Sequence, residues 1–199
     1  MATQTKFAAT ALSVPGEGEA WVDAGNAVGE NDSTYASCNL ASGARSAQLR
    51  LTNFGFTLPV GATIVSAIWR FWGNVQRTDM TNTTGLVYNG VAESTGHPIW
   101  DDDACPDPPG EIAVESGKQE GSGLTLDGIL VTIAQWNAST MGVELSFSNG
   151  HALTSLMKVN AFAITLDYTP PSSRLGLDSI AYTRCPPRIA LIGGGKSSR

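Results

Sequence analysis

Charged side chains are scarce in this sequence, and so are histidine and cysteine. Charged residues make up 15% of the 199 residues, against roughly 25% in an average soluble protein. A low charge suits a protein whose surface is partly covered by neighbouring molecules, because an exposed surface normally carries more charge.

Long apolar runs are also missing. No stretch reaches the roughly 20 apolar residues that a membrane-spanning helix needs. Residues 1–18 lack the basic and then apolar layout of a secretory signal. We therefore expect a soluble chain that is made inside a cell and has no membrane partner.

The three cysteines match no familiar site. Cys38, Cys105 and Cys185 lie far apart in the sequence and do not have the paired spacing of a zinc site. Their scarcity favours synthesis in a reducing compartment. The sequence does not decide whether any two of them pair.

Catalytic motifs are absent from the sequence. It contains no GxSxG, no GxxxxGK[ST] and no HExxH. The only histidines, His97 and His151, lie beside glycines in segments typical of loops. Nucleophilic catalysis needs a nucleophile oriented by a base, so we predict that the chain is not an enzyme. A glycan hydrolase is a remote alternative, for which the many acidic residues offer no preferred pair.

Strand patterns dominate what is present. Segments 46–52, 141–147 and 159–168 alternate apolar and polar residues, as half-buried strands do. Segment 62–72 is apolar on both faces, which predicts a central strand and structural roles for Trp69 and Trp72. Segment 128–136 fits either a strand or a short helix.

These patterns predict an all-β fold, a single jelly-roll-like β-sandwich with an extended C-terminal arm. We divide the chain into an N-terminal segment (1–18), the sandwich domain (19–168) and the arm (169–199). Within the domain, residues 93–123 have the proline and glycine content of a loop.

Charge is distributed unevenly between the domain and the arm. Residues 1–168 contain seven Lys and Arg and 17 Asp and Glu, a net charge of −10, whereas residues 169–199 carry +4. An acidic body argues against nucleic-acid binding. The basic arm could contact the acidic body of a neighbouring subunit. The arm residues predicted to bind a partner are Arg174, Arg184, Arg188, Ile189, Leu191 and Ile192.

Two further groups of side chains could bind ligands. Asp101, Asp102 and Asp103 could supply oxygen ligands to Ca²⁺, although their spacing is not that of a calcium loop and they equally suit a solvated loop tip. Trp100 and Trp136 adjoin predicted loops and could stack on a glycan or pack at the edge of the core. No cofactor other than Ca²⁺ is expected.

Several segments together resemble a loose family of structural proteins from tailed bacteriophages and prophages. The resemblance spans roughly residues 19–168, and its most specific part is the pattern Phe-Gly-Phe-x-x-Pro-x-Gly-Ala-x-Ile at 54–64. The segments that carry the resemblance are 20–27, 31–37, 51–64, 135–137, 142–147 and 159–168.

The resemblance implies a jelly-roll-like structural protein of a phage virion, made in the host cytoplasm. We expect a capsid decoration (cement) protein or an accessory protein of the neck, tail or baseplate. Its partners would be other virion proteins, with the major capsid protein among the candidates, and it would form a homo-oligomer, for which we expect a trimer. The alternative is a carbohydrate-binding module involved in host adhesion.

Overall fold

The computed structural model describes residues 1–16, 18–30, 34–76, 80–92, 111–120, 125–126 and 129–172, and for 111–120, 125–126 and 129–130 it describes the backbone only. Strands dominate this part of the chain. The helices are a 3-10 helix (Ala24–Ala27) and α1 (Ile133–Trp136). The strands are β1 (Ala2–Phe7), β2 (Thr10–Val14), β3 (Ala36–Leu40), β4 (Gln48–Thr52), β5 (Thr63–Val75), β6 (Met80–Tyr88), β7 (Val91–Ala92), β8 (Glu111–Glu120), β9 (Thr125–Leu126), β10 (Ile129–Leu130), β11 (Gly142–Asn149) and β12 (Ser155–Thr169).

The strands form two antiparallel sheets and a short β9–β10 pair. In sheet A, β12 pairs with β5, and β5 pairs with β8. The other edge of β12 pairs with β1 along one part of its length and with β3 along another. Sheet B has the order β2-β4-β11-β6-β7.

This strand order is that of a jelly roll. When β1, β2 and the β9–β10 pair are set aside, eight strands remain. Sheet A then contains the first, eighth, third and sixth of them in order, and sheet B the second, seventh, fourth and fifth. Successive strands therefore alternate between two packed sheets for most of the chain, as in the jelly-roll architecture. The predicted all-β sandwich is confirmed.

Segment 1–18, which we placed before the sandwich domain, contributes one strand to each sheet. β1 pairs with the end of β12 in sheet A, and β2 pairs with β4 in sheet B. The chain crosses between the sheets at Ala8, which is buried. β1 and β2 are therefore edge strands, one in each sheet.

The central position predicted for segment 62–72 is confirmed, because β5 lies between β12 and β8. Its inner face carries Trp69 and Phe71, which are buried, and its outer face carries Arg70 and Trp72, which are partly exposed. The sequence prediction for Trp72 is thus corrected: this side chain lies on the outside of the sandwich.

Aromatic side chains fill much of the space between the sheets. Phe71 of β5 meets Phe147 of β11 with a ring centroid distance of 6.1 Å. Phe162 of β12 contacts Trp69 edge-on at 6.0 Å and Phe54 at 6.3 Å. Burial of each large apolar side chain contributes about 1.5–3 kcal/mol, so these rings hold the two sheets together.

Segment 54–61 docks on α1. Gly55 has a φ of 68°, which allows the rings of Phe54 and Phe56 to stack on one side of the segment at 6.3 Å. Phe56 packs edge-on against Trp136. The side chain of Asn137 accepts a hydrogen bond from the Leu58 amide and donates one to the Leu58 carbonyl, at 2.7 and 2.8 Å.

Segment 128–136, which the sequence left open, contains both elements. β10 ends at Leu130, and α1 starts after Thr132. The Thr132 hydroxyl accepts a hydrogen bond from the backbone N–H of Gln135, and the Gln135 side-chain oxygen accepts one from the backbone N–H of Thr132. The two residues therefore form a capping box. None of the helices in the described ranges is long and apolar enough to span a bilayer.

Candidate functional site

The outer face of sheet A carries a row of polar side chains that bridges three strands. The carboxylate of Asp167 on β12 accepts hydrogen bonds from the Thr3 hydroxyl on β1, at 2.6 Å, and from the Ser66 hydroxyl on β5, at 2.8 Å. One step along β12, the Thr5 and Thr165 hydroxyl oxygens lie 2.9 Å apart, and Arg70 Nη1 donates to Thr165 at 3.2 Å. These bonds hold the polar groups in fixed positions.

An aromatic pair continues the same face. In the register of the sheet, Phe7 pairs with Ala163 and Trp72 pairs with Ala161. The rings of Phe7 and Trp72 meet across β12 at a centroid distance of 5.6 Å with an interplanar angle of 31°. Both alanines are fully buried although they point away from the space between the sheets. The small side chains therefore form a floor over which the two rings lie.

A third aromatic side chain lies further along β12. The ammonium group of Lys158 is 5.2 Å from the centroid of the Tyr35 ring, within the range of a cation–π contact. Between Lys158 and the alanine floor, Asn160 forms a bulge in β12, and its side-chain amide donates to the Thr34 carbonyl at 2.7 Å. We call this outer face the sheet A strip, made up of Thr3, Thr5, Phe7, Tyr35, Ser66, Arg70, Trp72, Lys158, Ala161, Ala163, Thr165 and Asp167.

The outer face of sheet B has a different character. Glu144 of β11 points outward and forms an ion pair with Arg50 of β4. Arg50 also donates to the Gly90 carbonyl at 3.1 Å. Leu12 of β2 lies beside Arg50 in the register of the sheet and is 41% exposed, and Val91, which follows Gly90, is 62% exposed. We call these residues the sheet B patch, defined by Leu12, Arg50, Gly90, Val91 and Glu144.

The reactive side chains in the described part of the chain are engaged in structural contacts. Burial, together with the neighbouring Glu19, raises the pKa of the Cys38 thiol to about 11. The thiol donates a hydrogen bond to the Glu19 carbonyl. His151 Nδ1 accepts a hydrogen bond from the Leu153 amide at 3.0 Å. A thiol held in its protonated form is a poor nucleophile, so Cys38 suits packing rather than chemistry.

The predicted ligand residues fall into two groups. Trp136 is 1% exposed and packs against Phe56. A buried ring cannot stack on a sugar, so this structure corrects the glycan-stacking role we gave to Trp136. Outside the described residues lie the other predicted site residues: Trp100, Asp101, Asp102, Asp103, Arg174, Arg184, Arg188, Ile189, Leu191 and Ile192.

No group of three or more metal-binding side chains occurs within the described residues. The acidic segment 101–103 lies outside these residues, and its calcium site stays a prediction.

Sequence reasoning missed the sheet A strip. Phe7 lies in a segment that we had left outside the domain, and Trp72 was assigned to the core. One signal was present: Thr3, Thr5 and Phe7 alternate along β1 as one face of a strand. The contact between Phe7 and Trp72 joins residues far apart in the chain, and a single sequence does not reveal such a pair.

Comparisons of the chain with family models, with curated proteins and with solved structures found no match.

Proposed function

We propose that this chain is a non-catalytic structural protein of a phage virion that acts through protein–protein contacts. It would serve as a capsid decoration (cement) protein or as an accessory protein of the neck, tail or baseplate. The observation that carries the proposal is the jelly-roll strand order. Several segments between residues 20 and 168 resemble structural proteins of tailed bacteriophages. Together with that resemblance, this architecture favours a scaffold protein.

Two of the segments that carry the resemblance support one another in space. Segment 54–64 supplies Phe56 and Leu58, which contact Trp136 and Asn137 of segment 135–137. The side chains of Phe56 and Trp136 pack against each other, and the side chain of Asn137 forms hydrogen bonds with the Leu58 backbone. These contacts stabilise the fold, which suits a scaffold protein.

The sheet B patch is the candidate protein contact. It combines exposed Leu12 and Val91 with the partly buried Arg50–Glu144 pair. The centre of a protein interface is more apolar than the rest of the surface, and arginine is enriched in interfaces. An internal ion pair also satisfies the charges that would otherwise be left unpaired when a partner covers them.

The C-terminal arm provides a second contact in this proposal. Its basic residues Arg174, Arg184 and Arg188 would bind the acidic body of a neighbouring copy, and Ile189, Leu191 and Ile192 would add apolar contacts. Linked copies would form a homo-oligomer, for which we propose a trimer, in contact with other virion proteins such as the major capsid protein. Several weak contacts per oligomer would give firm attachment.

The test compares two matched substitutions in the full chain. Leu12→Glu places a charge in the sheet B patch, and Val60→Glu places the same charge in the turn before β5, where Val60 is 91% exposed. Both proteins should fold, because both side chains are exposed. After phage assembly with each variant, particles are purified on a density gradient and the bound protein is quantified.

We expect Leu12→Glu to reduce the amount bound to particles at least about tenfold, which corresponds to about 1.4 kcal/mol of binding free energy. Val60→Glu should bind as the wild-type protein does. If the wild-type chain itself is missing from purified particles, the proposed function is wrong. If Leu12→Glu binds normally, the sheet B patch is not the contact.

A further inference from the structure

We infer that the sheet A strip is a carbohydrate-binding site, a stacking surface for a glycan of the kind found on bacterial cell surfaces. The inference goes beyond the proposed structural function and does not depend on it, because glycan binding can be measured on the purified chain. It retains the chemistry of the carbohydrate-binding alternative but assigns it to other residues than Trp100 and Trp136.

The aromatic end of the strip has the shape that a sugar ring needs. Phe7, Tyr35 and Trp72 are all partly exposed. Because Ala161 and Ala163 are fully buried beneath this face, the Phe7 and Trp72 rings lie over small side chains rather than standing upright. A sugar presents a face of C–H groups, and a partly exposed flat ring offers it apolar contact while leaving its hydroxyls accessible.

The other end of the strip offers hydrogen-bonding groups that are already in position. Thr3 and Thr5 are exposed, and each hydroxyl is fixed by a bond to β12, to Asp167 and Thr165 respectively. A hydroxyl oxygen carries two lone pairs and one proton, so a hydroxyl that makes one such bond keeps capacity for a ligand. Polar groups fixed before binding lose little entropy when the ligand arrives.

The strip suits a glycan better than a protein partner. The large apolar side chains that are well exposed in the described ranges all lie elsewhere: Met1, Leu12, Val22, Val60, Val91 and Leu153. The strip instead has flat rings toward one end and hydroxyls toward the other, and Arg70 and Asp167 bring one charge of each sign. From Lys158 to Asp167 it extends over about 30 Å at roughly 3.3 Å per residue, a length suited to an extended oligosaccharide.

The experiment uses the full chain and an array of bacterial surface polysaccharides and their fragments. The glycan that binds best is then titrated by calorimetry against the wild-type protein and three variants. Trp72→Ala removes a stacking ring. Thr5→Arg fills the strip from an exposed edge position and leaves the core intact. Thr81→Arg is the matched control, because Thr81 is exposed on the outer face of sheet B.

We expect wild-type and Thr81→Arg proteins to bind the glycan equally, and Trp72→Ala and Thr5→Arg to bind at least about tenfold more weakly. Thermal melting of each variant shows whether it folds. If Trp72→Ala does not fold, glycan binding by Thr5→Arg alone tests whether the sheet A strip is the binding site. If no glycan on the array binds, or if Thr5→Arg binds as the wild type does, the inference is wrong.

Particle binding separates this inference from the proposed function. Trp72→Ala should still sediment with phage particles, and Leu12→Glu should still bind the glycan. If Thr5→Arg and Trp72→Ala lose particle binding while no glycan binds to the wild type, the strip is a protein contact and the carbohydrate inference is overturned.

Discussion

Cys38 illustrates how burial fixes the behaviour of a single side chain. It lies on β3 with 1% of its surface exposed, and its pKa is raised from 9.0 to about 11, mainly by loss of hydration and further by Glu19. The thiolate is therefore disfavoured in the folded protein relative to the unfolded chain.

A pH dependence of stability follows from this shift. Between pH 9 and pH 11 the unfolded chain loses the Cys38 proton while the folded protein keeps it. The contribution of the protonated Cys38 thiol to the free energy of unfolding is fully present below pH 9. It is lost as the pH rises toward 11, with a slope of up to about 1.4 kcal/mol per pH unit. Urea unfolding of wild-type and Cys38→Ala proteins at several pH values measures it. The wild type should lose more stability than Cys38→Ala over this range, and parallel curves would refute the prediction.

The tryptophans show how far residue roles can be predicted from the sequence. Trp69 and Trp72 both lie in a segment that is apolar on both faces, and its pattern could not reveal that Trp69 faces the core and Trp72 the outside. Trp136 adjoins a turn in the sequence, which suggested exposure, yet α1 turns its ring inward against Phe56. Such placements depend on tertiary contacts rather than on local pattern.

At the level of elements, alternation predicted three of the strands, although β11 and β12 are buried on both faces for most of their length. Segments 46–52, 141–147 and 159–168 all correspond to strands, β4, β11 and β12. β1 and β2 were missed because they lie at sheet edges, where the face pattern is weak: β1 has no fully buried residue. An edge strand is defined by the neighbouring strand with which it pairs, and the sequence pattern does not reveal which strand that is.

Close contact between β4 and β11 requires a glycine at position 142. A Cβ atom there would collide with the Leu51 carbonyl oxygen and the Thr52 side chain. Gly142→Ala should force the strands apart and lower the free energy of unfolding by about 1–3 kcal/mol. Gly16→Ala is the control, because a Cβ at Gly16 meets nothing within 4 Å. Urea unfolding checks both, and equal stability of the two variants would contradict this description of the sheet.

At the scale of the whole molecule, the strand order could not be derived from patterns alone. The pairing of β3 with β12 joins residues more than 100 positions apart, and alternation says nothing about which strands become neighbours. The jelly-roll expectation came from the strand patterns and from the resemblance carried by segments between residues 20 and 168, and the arrangement of the two sheets agrees with it. Residues 173–199 of the arm and the acidic segment 101–103 lie outside the described residues, so their roles stay predictions.

The outer faces of the two sheets carry different kinds of side chains. The sheet B patch offers apolar side chains around an ion pair, whereas the sheet A strip offers flat rings and fixed hydroxyls. A sandwich with two such faces could attach to a particle on one side and present the other to a glycan. The jelly roll serves this arrangement because it holds the faces apart on a rigid core.

The copy number of the chain in purified virions shows whether it is a structural component of the particle. Quantitative mass spectrometry of gradient-purified particles measures it relative to the major capsid protein. A structural protein that joins a symmetric particle should be present in a fixed number of copies, set by the symmetry of its attachment site. A chain that remains in the lysate and is absent from the particles would contradict the account.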